Sequence, residues 1–73
     1  MSKIIWTKEY AKFIKKLKQA RLKAGLRQIE VAKKLKRPQS YISRVESGGY
    51  RLDIIEVKRF AKLYGKKVNE LID

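Results

Sequence analysis

Residues 25–49 read GLRQIEVAKKLKRPQSYISRVESGG, and this stretch decides the fold. Its apolar residues recur at helical spacing in two short runs, over about residues 28–35 and 39–47. Between the runs, Pro38 lacks a backbone N–H and disfavours helical geometry at the residue before it, so the first run ends at the basic corner. Two short helices joined by a tight turn form a helix-turn-helix, which we expect over about residues 28–47.

Three further helices are expected around this unit. Thr7 is a suitable N-cap for a first helix, which Gly25 ends. Asp53 opens a fourth helix with a capping box, and Gly65 stops it. A last short helix, over about residues 68–72, closes the core. The predicted fold class is therefore all-α, with five helices and no strand.

The chain is short and strongly basic. Its 73 residues include 20 Lys and Arg against 7 Asp and Glu, which gives a formal net charge of +13 at pH 7. This length makes one domain, residues 1–73, with residues 1–6 as an N-terminal arm. A domain of this size buries only about 60% of its unfolded surface, which leaves little room for a deep substrate cleft. We therefore expect an anionic partner and no enzyme.

Cysteine and histidine are both absent from the sequence. Their absence removes thiolate and imidazole ligands, and we expect neither a metal site nor a cofactor. No stretch approaches the roughly 20 apolar residues that a membrane helix needs, and the first residues lack the apolar run of a signal peptide. The expectation is a soluble, cytoplasmic protein without a membrane partner.

One charged residue breaks the apolar stripe of the predicted first helix. At 100° per residue, Arg21 projects into that stripe, where an unpaired guanidinium would be costly. Glu46 flanks the apolar residues on the inner side of the third helix. We expect a mostly buried ion pair between Arg21 and Glu46 that holds the first helix on the third.

The outer face of the third helix is the candidate binding surface. Small hydroxyl side chains let a helix approach another molecule closely, and Gln and Arg match adenine and guanine edges in the major groove of DNA. The outward residues are Ser40, Ser43, Arg44 and Ser47, with Gln39 at the N-terminal end, and we expect this face to contact DNA. A glycine pair follows the helix and lets the backbone approach a phosphate, although it also makes an ordinary turn. The candidate phosphate contacts here are Gly49, Tyr50 and Arg51, with Arg37 in the corner before the helix.

Several features of the chain occur together in one known family. They are Arg21 before the Gly25-Leu26 turn, Gln28 opening the second helix, the Val31-Ala32 pair, Leu35, and the runs RPQSYISRVESG and RLDIIEVKRFAKLYG. With these features, residues 17–72 resemble the helix-turn-helix domain of phage repressor and Cro proteins, the xenobiotic-response-element-like family of regulators. The resemblance implies a compact, lambda-repressor-like fold that binds duplex DNA sequence-specifically as a dimer.

The resemblance also implies roles for individual residues. Base edges would be contacted by Gln39, Ser40 and Arg44. Phosphates would be held by Gln28, Tyr41 and Ser43, together with the loop around Gly49 and Arg51. Arg21 and Glu46 match the family's internal ion pair. The chain departs from the family at its corner, where Lys36 stands in place of the usual glycine and has to tolerate a left-handed backbone.

The predicted core does not claim Ile55 on the fourth helix, whereas Leu71 on the last helix is expected to close the core. Ile55 shares a helix face with cationic side chains, and with Leu71 and Ile72 it is the candidate two-fold interface. Two other classes of function stay open. The chain could be an antitoxin that binds a toxin protein and regulates its own gene, or a module that binds RNA or a protein coactivator.

Overall fold

The computed structural model describes residues 7–72, which form five α-helices and no strand. The expected all-α fold class is confirmed. The N-terminal arm expected over residues 1–6 lies outside the described residues. The helices are α1 (Lys8–Lys23), α2 (Gln28–Leu35), α3 (Gln39–Ser47), α4 (Ile54–Tyr64) and α5 (Val68–Ile72).

Side chains at the N-termini explain where two helices begin. Thr7 Oγ1 accepts a hydrogen bond from the backbone N–H of Tyr10, 3.0 Å away, at the start of α1. Asp53 and Glu56 form a reciprocal capping box at the start of α4. Each bond satisfies a backbone donor that has no partner within its own helix.

Two of the helices without a Ser, Thr or Asp cap, α2 and α5, use a glutamate instead. Glu30 Oε1 accepts from the backbone N–H of Arg27 at 2.7 Å, before α2. Glu70 Oε1 accepts from the backbone N–H of Lys67 at 2.7 Å, before α5. The third residue of each helix thus reaches back to the residue before it, which supplies half of a capping box.

The core lies where α1 meets α3, α4 and α5, while α2 packs on α3. Its buried residues are the inner faces that the helical spacing predicts: Phe13, Ile14, Leu17, Ala20, Val31, Ala32, Ile42, Val45, Val57, Phe60, Ala61, Tyr64 and Leu71. Because Ile42 and Val45 are fully buried, α3 has one face in the core and one face outward. No helix over residues 7–72 has both the length and the apolar character that a membrane span requires.

The corner between α2 and α3 has the left-handed backbone that the sequence predicts. Lys36 has φ 58° and ψ 46°, and Lys36 is the only non-glycine residue with positive φ among residues 7–72. Pro38 follows with φ −65° and precedes the first residue of α3. The corner therefore turns within three residues, at the cost of a conformation that L-residues avoid.

Candidate nucleic-acid interface

The outward face of α3 is polar and fully accessible. Its exposed side chains are Gln39, Ser40, Ser43, Arg44 and Ser47. Because the opposite face is buried, this set cannot rotate inward without exposing the core. The structure thus brings the three predicted base-contacting residues onto one surface, which carries no carboxylate.

Arg21 on α1 and Glu46 on α3 make a two-point ion pair. Nε donates to Oε2 at 2.7 Å and Nη2 donates to Oε1 at 3.0 Å, while Nη1 donates to the carbonyl oxygen of Leu26 at 2.9 Å. The hydrogen bonds that Arg21 donates to Glu46 raise the pKa of Arg21 despite its burial. The pair ties α3 to α1 from behind, so it fixes the orientation of the outward face.

The carboxylate of Glu46 also binds the Gln28 side chain at the start of α2. Gln28 Nε2 donates to Glu46 Oε1 at 3.0 Å, and Gln28 is half-buried. An amide nitrogen has two hydrogens, so one donor is left for another partner. The phosphate contact expected of Gln28 stays a prediction, and this geometry leaves a hydrogen for it.

A second buried carboxylate, Glu56, gathers residues from three elements. Its Oε2 accepts from the hydroxyl groups of Tyr41 on α3 and Tyr50 in the following loop, each at 2.9 Å. Its Oε1 accepts from the backbone N–H of Asp53 at 2.9 Å. Arg37 Nη2 lies 3.9 Å from Oε2, and its guanidinium lies 4.6 Å from the centre of the Tyr41 ring. Glu56 therefore connects the corner, α3 and the loop to α4.

Hydrogen bonding decides the ionisation of this cluster. Burial acts to raise the pKa of Glu56, but bonds from the Asp53 backbone and the Tyr50 and Tyr41 hydroxyls, with the charge of Arg37, outweigh it and lower the pKa. Burial and the bond to Glu56 raise the pKa of Tyr41. The carboxylate is thus charged and both tyrosines are neutral donors near neutral pH.

The loop between α3 and α4 is also attached to α1. Tyr10 Oη donates to the carbonyl oxygen of Tyr50 at 3.3 Å and accepts from the backbone N–H of Leu52 at 3.0 Å. The guanidinium of Arg51 lies 4.8 Å from the centre of the Tyr10 ring. The loop is therefore held from both sides, by Tyr10 and by Glu56.

The hydrogen bonds of Tyr41 and Tyr50 and the surroundings of Gly49 affect the phosphate contacts expected of these residues. The single hydroxyl hydrogens of Tyr41 and Tyr50 point at Glu56, so a phosphate contact through either hydroxyl requires that bond to break. Gly48, not Gly49, has the positive φ that ends α3. A methyl group at Gly49 would meet its nearest neighbours at 3.7 Å, an ordinary contact. No contact within the described protein requires glycine at position 49. The absence of a side chain there is compatible with close approach by a phosphate.

A family model described as helix-turn-helix matches residues 17–71. The chain belongs to the Cro/C1-type helix-turn-helix family. The match covers α2 and α3 with the corner between them, and it supports a DNA-binding transcriptional regulator. No curated protein and no solved structure matches the chain. The assignment of single residues to bases or phosphates therefore depends on the geometry above.

Sequence reasoning missed two features of this helix-turn-helix domain. The predicted capping box accounted for the hydrogen bond of one carboxylate oxygen of Glu56. It did not indicate that the other oxygen accepts hydrogen bonds from two tyrosine hydroxyl groups. Nothing in the sequence pattern linked Tyr10 to the loop, because the two segments are 40 residues apart. An aromatic residue with a hydroxyl group on a predicted inner face was the only signal.

The expected two-fold interface of the domain needs one revision. Leu71 is 2% exposed and belongs to the core, so it has no free apolar surface. Ile55 and Ile72 are 57% and 53% exposed. Ile54, which sequence reasoning did not include, is 55% exposed and lines a cleft of about 630 Å³ together with Ile72. The candidate interface therefore centres on Ile54 and Ile72, which line one cleft, with Ile55 next to Ile54 in the chain.

Proposed function

We propose that this protein is a cytoplasmic, dimeric repressor that reads the major groove of operator DNA with α3. The observation that carries the proposal is the outward polar face of α3, held from behind by the Arg21–Glu46 pair. A rigid helix loses little conformational freedom on binding, so its contacts contribute more of their energy to affinity. Residues 1–73 would act as one DNA-binding domain.

Base contacts come from the first half of α3 and from its middle. Gln39 and Ser40 lie at the N-terminal end, which enters the groove first in this motif. Arg44 lies one turn further on the same exposed side. Its guanidinium can donate two parallel bonds to a guanine, and such a contact discriminates by about 1–3 kcal/mol.

Phosphate contacts come from several elements of the helix-turn-helix and from the loop after it. Gln28 opens α2, Arg37 lies in the corner, Ser43 is exposed on α3, and the loop of Gly49, Tyr50 and Arg51 follows α3. Arg37 is 42% exposed, so a phosphate can compete with Glu56 for its guanidinium. Tyr41 supports Arg37 through its ring and reaches a phosphate only if its hydroxyl leaves Glu56. These contacts supply affinity that falls with salt, and little sequence preference.

The dimer forms through the exposed isoleucines at α4 and α5. Ile54, Ile55 and Ile72 project apolar surface that the protomer does not bury, and Leu71 supports them from the core. A two-fold axis through this surface would place two α3 helices on half-sites about 10 base pairs apart. A dimer on its operator excludes other proteins from the same groove, which makes repression the expected outcome.

Selection of random duplexes by the purified protein tests the proposal. The winning sequence and a scrambled duplex are then titrated at two salt concentrations. We expect a two-fold symmetric motif that binds about a thousandfold more tightly than the scrambled duplex. Enrichment of no motif, with affinity that collapses as salt rises, would contradict it and direct the search to a toxin or RNA partner.

A further inference from the structure

A basic groove runs along the flank of the protein, between the end of α2 and the outer side of α4. It is open, has a volume of about 510 Å³, and is separate from the cleft at Ile54 and Ile72. Its lining residues are Lys34, Leu35, Lys36, Arg59, Lys62 and Leu63. None of them is on α3, so the groove is not part of the proposed base-reading face.

The floor and the rim of the groove differ in chemistry. Leu35 and Leu63 pack against the core with their inner sides and stay half-exposed toward the groove. The four cationic side chains around them are all exposed. The surface thus offers apolar contact at its centre and positive charge at its edges, a combination typical of protein interfaces.

The rim residues make no ion pair among residues 7–72, although the charge of Lys34 acts on Glu30. The pairs of Arg21 with Glu46, of Arg27 with Glu30 and of Arg37 with Glu56 do not include a rim residue. Four like charges around one groove repel one another, and a partner that carries carboxylates removes this repulsion.

Lys36 provides an independent observation at the same groove. It holds a left-handed backbone conformation that glycine adopts without steric cost and that is strained for an L-residue with a side chain. Its side chain lines the groove and makes no ion pair over residues 7–72. A strained backbone position with an exposed cationic side chain, unpaired within the described residues, points to a use for that side chain outside the fold.

We propose that this groove binds an acidic amphipathic segment of a partner protein. Apolar side chains of the segment cover Leu35 and Leu63, while its carboxylates pair with the rim of Lys34, Lys36, Arg59 and Lys62. A nucleic-acid backbone satisfies the charges but presents no apolar side chain to the floor. The groove therefore fits a peptide with leucine and glutamate on one helical face better than a row of phosphates.

A labelled synthetic peptide tests this proposal. The peptide carries leucines at helical spacing flanked by glutamates, and a matched peptide replaces each leucine by serine with the charge unchanged. Arg59→Glu/Lys62→Glu should weaken binding of the leucine peptide at least about tenfold. Lys15→Glu/Lys18→Glu makes the same change in net charge on exposed residues of α1 and should weaken it less than about threefold.

Lys36→Gly separates loss of the groove from loss of the fold. This variant removes one rim charge and relieves the strained backbone, so it should bind the leucine peptide more weakly while unfolding at a higher temperature. Resonances of Leu35, Leu63 and the rim residues should shift when the peptide is added to labelled wild-type protein.

Three outcomes would overturn the proposal. The first is equal weakening by both double variants, and the second is equal affinity for the leucine and serine peptides; either would show that charge alone is responsible. The third is displacement of the peptide by duplex DNA, with the Arg59→Glu/Lys62→Glu variant losing DNA and peptide in parallel. That result would assign the groove to the DNA backbone. Simultaneous binding of DNA and peptide supports a separate protein-binding surface. This conclusion does not depend on which duplex the selection yields.

Discussion

Gln28 Nε2 lies 3.0 Å from Glu46 Oε1, so the carboxylate that pairs with Arg21 also positions the first side chain of α2. One buried group therefore organises three helices: α1 through the guanidinium, α2 through the amide, and α3 through its own backbone. Loss of its charge should affect both the stability of the fold and the geometry of the DNA-binding surface.

Glu46→Gln should lower the free energy of unfolding by about 3 kcal/mol, because it leaves a 7% exposed guanidinium without a counter-charge. Thermal or urea denaturation measures the change. Glu30→Gln is the matched control, since its ion pair with Arg27 is exposed and should contribute no more than about 1 kcal/mol. Equal stability of the Glu46→Gln variant and the wild type would show that the pair adds nothing to folding.

Arg44→Ala and Arg51→Ala should differ in their effects on DNA binding. Arg44→Ala should lose about 1–3 kcal/mol on the selected duplex and far less on a scrambled one, because a base contact discriminates between sequences. Arg51→Ala should weaken binding to both duplexes alike. It should also reduce the slope of log affinity against log salt concentration by the share of about one phosphate contact. Titrations of both duplexes at several salt concentrations measure these effects. Equal losses on both duplexes for Arg44→Ala would remove it from the base-contacting residues.

Glu56→Gln should destabilise the protein in a pH-dependent way. The pKa of Glu56 is lowered from its ordinary value of 4.5, so its charged form stabilises the fold fully above that value. This contribution disappears as the pH falls through the lowered pKa of the folded state. The stability difference between wild type and variant should thus be about 1–3 kcal/mol near neutral pH and shrink in acid. A difference that stays constant across denaturation curves at acid and neutral pH would contradict this role.

Lys36→Gly should raise the free energy of unfolding by about 0.5–1 kcal/mol. The gain comes from relief of the left-handed backbone, reduced by the greater freedom of glycine in the unfolded chain. Lys33→Gly removes the same side chain from the helical interior of α2 and should lower stability by about 1 kcal/mol. Destabilisation by both variants would mean that the corner is not strained in solution.

Ile72→Glu should shift the protein from dimer to monomer, because a carboxylate in an apolar two-fold interface meets its own copy across the axis. Sedimentation at several protein concentrations measures the shift. Leu22→Glu is the control, since Leu22 is an equally exposed apolar residue on α1 at 57% exposure. An unchanged monomer fraction for Ile72→Glu would exclude this surface as the interface.

Local patterns account for most of the fold. The five helices begin and end where the capping residues and the spacing of apolar residues predict, because both signals act within one or two turns. The orientation of α3 follows in the same way, since Ile42 and Val45 leave Ser40 and Arg44 outside. The partnership of Arg21 and Glu46 could also be inferred, because a buried charge requires a counter-charge and the chain offers few carboxylates.

The sequence by itself thus determined an all-α helix-turn-helix protein with an outward basic and polar recognition helix. Only the tertiary structure decided that Glu56 binds both tyrosines, that Tyr10 holds the loop, and that Ile54 is exposed. The physical reason is distance along the chain. Helical periodicity is set by neighbouring residues, whereas these contacts depend on how the helices pack. A polar side chain can also bind any of several partners, and the local sequence pattern does not indicate which one it binds.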